Sequence, residues 1–188
     1  VLILAAGDGK RMKSDIPKVL HKAAGRALVD WVVTAAEKVI DGKPIVVYGS
    51  GGSAVPDYLG DRCTYALQDK RLGSGHAVMM AEDLLKDYKY AVVLAGDMPL
   101  VRESSLEKLI TLAEAGDYSA LLLTGEVENP TGYGRIKRNG SQVVGIVEEK
   151  DATEEERAIK EVNLSFYCFR VADLLAALDE VKPNNTQG

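Results

Sequence analysis

The sequence predicts an α/β fold: a doubly wound, mostly parallel (Rossmann-like) sheet with a small added β layer. Three observations predict it. Short apolar runs rich in Val, Ile and Leu recur from Val1 to Gly125, segments of helical period separate them, and the rhythm changes after Gly125.

The runs are VLILAAG from Val1, PIVVYGS from Pro44, CTYALQ from Cys63, YAVVLAGD from Tyr90 and YSALLLTG from Tyr118. Each is short, apolar and bounded by turn residues, as buried strands are. Helical patterns lie between them: LVDWVVTAAEKVI from Leu28, a short one over Val55 to Leu59, GHAVMMAEDLLKDY from Gly75, and SSLEKLITLAEAG from Ser104, with a serine cap and a terminal glycine. Strands that alternate with helices are parallel, and ligands then sit beyond the carboxyl ends of the strands. After Gly125, YGRIKRNGSQVVGIVEEK forms two strand-like runs around RNGS, followed by DATEEERAIKEVNLSFYCF and a last helix over Val171 to Leu178. This is the added layer. The run Glu154, Glu155, Glu156 is a solvated face or a first helical turn and carries no chemistry.

The opening strand delivers LAAGDGKRMKSDIPKVLH, which joins Gly7 and Gly9 to Lys10, Arg11, Lys13 and Lys18. Glycines let backbone N–H groups approach an anion closely and cations neutralise it, so a phosphate is the first candidate; the bland alternative is a turn with a solvated basic face. Two familiar phosphate loops fail against the letters. The P-loop needs four residues between its glycines, where only Asp8 stands, and the dinucleotide pattern needs glycine where this chain has Met12.

Composition sets bounds. With 188 residues and 46% hydrophobic content the chain can bury one sizeable core, and a net charge of -5 argues against a nucleic-acid binder. Cys63 and Cys168 lie in strand-like contexts without metal spacing, so reduced core thiols are expected. No long apolar run or signal-peptide pattern is present, which predicts a cytoplasmic protein that engages no membrane.

The spacing of Leu4, Gly7, Gly9, Arg11, Met12, Pro17 and Lys18 resembles the L-x-x-G-x-G-x-R-M…P-K signature of the sugar-1-phosphate nucleotidyltransferases. PKVLHKAAG, LGSGHAV, NPTGYGRI, GIVEEKDAT, EVN and NNTQG narrow this, in unbroken order, to a resemblance to the uridylyltransferase domain of the bifunctional N-acetylglucosamine-1-phosphate uridylyltransferase/glucosamine-1-phosphate acetyltransferase family. The resemblance implies transfer of UMP from UTP to N-acetylglucosamine 1-phosphate, which yields UDP-N-acetylglucosamine, a cell-wall precursor, and pyrophosphate.

It also implies roles. Arg11 and Lys18 meet the phosphates as catalytic residues, with Pro17 fixing φ just before the lysine. Leu4, Ala6 and Gly7 contact the nucleotide. Gln68, whose amide offers a donor and an acceptor to the uracil imide, joins Gly73 and Ser74 at the base; the family usually has threonine in place of Ser74. Asp97 binds Mg²⁺, with a second ligand beyond Gly188. Gly134, Glu148 and Asn163 hold the sugar, with Glu148 preferred to Glu149 by alignment to VEEK, although alternation alone leaves either as a surface glutamate. After Asn163 the family usually carries Thr-Gly or a similar small pair, where this chain departs with Leu164 and Ser165.

No general base is needed, because a phosphate monoester is largely dianionic at neutral pH, with a second pKa of about 6. His21 and His76 are therefore read as structural. Residues 1–188 are expected to be one uridylyltransferase domain truncated at its C-terminal end, without the acetyltransferase β-helix through which the full-length family members form homotrimers. Two other readings stay open: a relative that uses another sugar phosphate or CTP, and a nucleotide-binding fragment without catalysis.

Overall fold

A computed structural model describes residues 1–181 other than Asp8, Lys10, Arg11, Asp15 and Arg71. In chain order the elements are β1 (Leu2–Ala5), β2 (Lys22–Ala23), β3 (Arg26–Ala27), α1 (Leu28–Glu37), β4 (Ile45–Gly49), α2 (Ala54–Leu59), β5 (Thr64–Gln68), α3 (Ser74–Met79), α4 (Glu82–Leu85), β6 (Tyr90–Ala95), α5 (Glu103–Ala115), β7 (Ala120–Glu126), β8 (Arg135–Asn139), β9 (Gln142–Val147), α6 (Glu154–Arg157), β10 (Glu161–Arg170) and α7 (Val171–Glu180). The chain forms two compact units, Val1–Leu121 with Tyr167–Val181, and Leu122–Phe166.

The first unit is the parallel sheet that the apolar runs predict. Its strands follow the order β5-β4-β1-β6, with β1 parallel to both β4 and β6. Leu2, Ile3, Val46, Val47 and Leu94 are fully buried, because strands covered on both faces read as unbroken apolar runs. The chain moves from β1 outward through β4 to β5, then returns to β6 on the other side of β1. The strand order therefore reverses between β1 and β6, where such sheets form a ligand crevice.

Four details depart from the sequence reading. The helix expected from Gly75 to Tyr88 is two, α3 and α4, because Ala81 leaves helical geometry (φ −104°, ψ 7°) to lie fully buried beside Leu85 in the core. The serine cap expected for the helix from Ser104 is absent: α5 starts at Glu103, and the carbonyl of Arg102 accepts the first bonds, from the N–H groups of Ser105 and Leu106. Gly116 at its end is extended rather than left-handed, and a Cβ there would overlap the Tyr118 ring. The last helix also belongs to the first unit, where Val171, Leu174 and Leu178 join the core cluster, and not to the added layer. Cys63 and Cys168 are free and buried, and burial pushes both thiols up to about 11.

The second unit is the added layer. β8 and β9 pair antiparallel from Arg135↔Val147 to Asn139↔Gln142, around a turn whose Gly140 takes φ +60°. The first part of β10 joins them through Val162↔Arg135. Thr153 and Glu156 form a reciprocal capping box on α6, so the acidic run is a first helical turn, as read. Arg138 clasps Glu161 with two bonds of 2.6 and 2.7 Å. Arg138 first, and a hydrogen bond from Thr124 second, pull the Glu161 carboxyl down to about 2. A carboxyl depressed on folding contributes stability above its unfolded pKa, near 4.3, and loses it as pH falls toward the folded value. We expect the midpoint of thermal unfolding to drop between pH 5 and pH 2, and Glu161→Gln to flatten that segment of the profile.

Candidate functional site

In the first unit the site is built at the reversal of strand order. Leu2, Ile3 and Leu4 pair with Val93, Leu94 and Ala95, and the Gly96 N–H donates to the Leu4 carbonyl at 2.9 Å. A Cβ on Gly96 would lie 3.0 Å from that oxygen, so glycine keeps β6 tight against β1. Asp97, the next residue, emerges where the opening loop leaves β1. Lys18 reaches it: its ammonium forms an ion pair with the Asp97 carboxylate, with the two side chains 39% and 26% exposed. The predicted phosphate lysine and metal-ligating aspartate thus face each other. Arg11 falls outside the described residues.

Local structure explains the position of Lys18. Pro17 (φ −51°) enters a 3-10 turn over Lys18–Leu20, closed by Leu20 N–H to Pro17 O at 2.9 Å and His21 N–H to Lys18 O at 3.2 Å. Behind it, Arg26 of β3 holds Asp30 and Thr34 of α1 and lies 4.3 Å over the Trp31 ring, which locks the segment onto the helix. In front, Gly9 adopts φ +58°, and a Cβ there would stand 2.7 Å from Lys18 Cβ. Gly9→Ala should therefore displace the lysine stem as well as strain the loop. A turnover loss of about tenfold or more in a pyrophosphate-release assay is the expected result, with the melting temperature lowered by about 2–10 °C by the left-handed backbone strain.

Beside this loop a cavity of about 130 Å³ is lined by Ala6, Gly7, Pro17, Gly49, Gly52 and Val55 among others. Ala6 is buried and Gly7 exposed, with open space where its side chain would be. Gly49 pairs with Gln68 across β4 and β5. Gln68 is only 3% exposed, and its Nε2 lies 3.0 Å from the Gly73 carbonyl and 3.0 Å from His76 Nδ1. Gly73 takes φ +98° and leads into α3, whose first residue is the exposed Ser74. Gln68, Gly73 and Ser74 are thus brought together, with His76 as a partner that the sequence reading did not place. His21 Nε2 is buried with no hydrogen-bond partner among the described residues.

The second unit assembles the three predicted sugar residues. The Asn163 N–H donates to the Gly134 carbonyl at 2.8 Å, and a Cβ on Gly134 would press within 3.0 Å of Glu148 Oε1. Glu149 is engaged elsewhere. Its carboxylate accepts from Arg135 at 2.7 Å and from the Gly132 N–H at 3.0 Å; these bonds, that of Gly132 first, hold its carboxyl below the usual range. Glu148, exposed and bearing no ion pair among the described residues, is the one that remains available. Arg135 is 1% exposed and went unremarked in the sequence, where a Gly-Arg-Ile strand start gives no sign of a buried cation. Beyond Asn163, whose Oδ1 accepts from the Ser165 N–H at 3.0 Å, Ser165 sits at φ +57°, the conformation that a glycine takes most readily.

A parallel sheet whose strand order reverses beside a glycine loop, a lysine and an aspartate is an open α/β architecture with its ligand crevice at that point. The chain belongs to the MobA-like NTP transferase domain family, whose model matches residues 1–181. It is 47% identical over 188 residues to the Bifunctional protein GlmU of Thermoanaerobacter pseudethanolicus, a match over 100% of this chain and 41% of that protein. It is 48% identical over 189 residues to the Bifunctional protein GlmU of Oceanobacillus iheyensis, over 100% of this chain and 42% of that one. The chain thus spans about two fifths of the length of these curated relatives. Among solved structures, a protein of Bacillus anthracis described as a glucose-1-phosphate thymidylyltransferase superposes with a TM-score of 0.83 at 20% identity, over 97% of this chain and 75% of that one. An apo UDP-glucose pyrophosphorylase gives 0.80 at 19% identity, over 98% and 81%. Both share the fold.

Proposed function

We propose that the chain transfers UMP from UTP to N-acetylglucosamine 1-phosphate, giving UDP-N-acetylglucosamine and pyrophosphate for cell-wall precursor synthesis. The observation that carries this reading is the meeting of Lys18 and Asp97 at the strand reversal, in a chain 47% identical over its full length to a protein named for GlmU. The first unit takes the nucleotide through Leu4, Ala6, Gly7, Gln68, Gly73 and Ser74. Gly134, Glu148 and Asn163 of the second unit take the sugar, whose hydroxyl and acetamido groups need the acceptors and donors that these residues offer.

A phosphate oxygen of the sugar phosphate attacks the α-phosphorus in line; the new P–O bond forms as the bond to the β-phosphate oxygen breaks, and pyrophosphate leaves. The nucleophile arrives as a dianion, so this chain's residues need to position two polyanions and neutralise their charge. Lys18 supplies a mobile cation whose stem is fixed by Pro17 and Gly9, and Arg11 would add a second. Asp97 fits a Mg²⁺ site of the kind completed by substrate phosphates: it offers one partly exposed carboxylate, and no group of three or more His, Cys, Asp or Glu residues that could hold a metal exists among the described residues. When bound, the ion would draw charge from the phosphate oxygens.

We place the protein in the cytoplasm; no helix among the described residues is long and apolar enough to cross a membrane. We further propose that residues 1–188 are the uridylyltransferase portion of a longer protein that assembles as a homotrimer through a C-terminal acetyltransferase domain. A substrate panel tests the reaction. Pyrophosphate release with UTP, Mg²⁺ and N-acetylglucosamine 1-phosphate should exceed that with glucose 1-phosphate or with CTP, whereas equal or greater release in either control would reassign the substrate.

A further inference from the structure

We propose that His76 is a positioning residue that fixes which atom of Gln68 faces the base, and so selects a 2,4-dioxopyrimidine nucleotide over a 4-aminopyrimidine one. This rests on the nucleotide reading above and deepens it. A primary amide carries two N–H groups, and both of Gln68's have partners: the Gly73 carbonyl at 3.0 Å and His76 Nδ1 at 3.0 Å. His76 Nδ1 therefore presents a lone pair, and its ring proton resides on Nε2.

Turning the amide over would set Oε1 against the Gly73 carbonyl oxygen, acceptor against acceptor. Both anchors are themselves held. The Gly73 carbonyl also accepts from the Ala77 N–H at 3.2 Å, and the His76 carbonyl accepts from Met80 N–H at 3.2 Å, so each belongs to the α3 turn. One bond would let the amide swing about its axis; two fix its plane. Gln68 Oε1 has no hydrogen-bond partner among the described residues, and it is the atom of this buried side chain left to meet a ligand. An acceptor there matches the N3–H of uracil. Cytosine presents an N3 lone pair at that edge, and the two acceptors repel.

The test uses the 188-residue protein and reads the affinities for UTP and CTP by titration calorimetry. The unaltered protein should favour UTP by about tenfold or more. His76→Ala should reduce that ratio about fivefold, whereas His76→Asn, whose Oδ1 occupies the place of Nδ1, should keep it within about twofold. A purely structural histidine would weaken both nucleotides alike and leave the ratio unmoved. Independently, the ¹⁵N correlation pattern of the His76 ring in the unaltered protein should report the Nε2–H tautomer; this needs no variant to fold. An Nδ1–H tautomer, or an unchanged ratio in a folded His76→Ala protein that still prefers UTP, overturns the inference alone. Failure of the unaltered protein to bind UTP overturns the nucleotide reading and the inference with it.

Discussion

Lys18→Ala should lower the rate of pyrophosphate release by about 10²–10³-fold, the range seen when one donor to developing charge is removed from a preorganised site. Lys18 stands at the strand reversal against Asp97, its backbone set by the 3-10 turn and its stem against Gly9. An ion pair with side chains 39% and 26% exposed contributes little to folding, so the unfolding free energy from denaturant titration should stay within about 0.5 kcal/mol of the unaltered protein. Lys18→Arg should fail to restore the rate, because a planar fork cannot replace a compact ammonium on the same stem. Near-normal turnover in Lys18→Ala would remove the lysine from the chemistry.

Arg135→Ala should produce the largest loss of stability, about 3 kcal/mol, the scale of emptying the space of a large buried side chain. The guanidinium is 1% exposed and donates to Glu149, to the Tyr133 carbonyl and, more distantly at 3.5 Å, to the Arg157 carbonyl; removing it vacates that space, while the 30% exposed Glu149 carboxylate keeps the Gly132 N–H and Arg157. The loss should be local, visible as faster amide exchange in β8 and β9. Because Arg135 and Gly134 are adjacent, and Glu149 and Glu148 likewise, the same change should weaken binding of the sugar phosphate while UTP affinity holds. Arg135→Met should recover most of the stability, since an unbranched stem refills the space. A loss in Arg135→Met equal to that in Arg135→Ala would show that the hydrogen bonds of the guanidinium carry the stability instead.

The sequence was most legible where one physical constraint dominated. Buried parallel strands must be apolar throughout, so the runs at Leu2–Ala5, Ile45–Gly49 and Tyr90–Ala95 announced themselves, and with them the place of Asp97; Thr64–Gln68, expected as a buried strand, is instead the edge strand, with Leu67 exposed. The candidate catalytic and binding residues came from matching a family signature rather than from periodicity. The structure adds the reasons for their proximity: the Gly96–Leu4 bond, the Gly9–Lys18 contact and the Asn163–Gly134 bond.

What stayed hidden was decided by tertiary packing. Helical propensity runs without a break from Gly75 to Tyr88, and only burial of Ala81 and Leu85 divides it. The hydrogen-bonding of His76 depends on the shape of the turn between β5 and α3, which no local pattern encodes. Two adjacent glutamates look alike just past a strand; Arg135, a distant partner in sequence, distinguishes Glu149 from Glu148.

The central claim is that this chain joins a uridylyl group to an N-acetylglucosamine phosphate. Phosphorus NMR of the protein with UTP, Mg²⁺ and N-acetylglucosamine 1-phosphate tests it most directly, because substrates and products are seen together. The account predicts that the monoester signal and the UTP signals decline in step while a diphosphodiester pair and pyrophosphate rise in equal amounts. UTP consumed to UMP with the monoester signal unchanged, or no change with the protein folded and UTP bound, would contradict it.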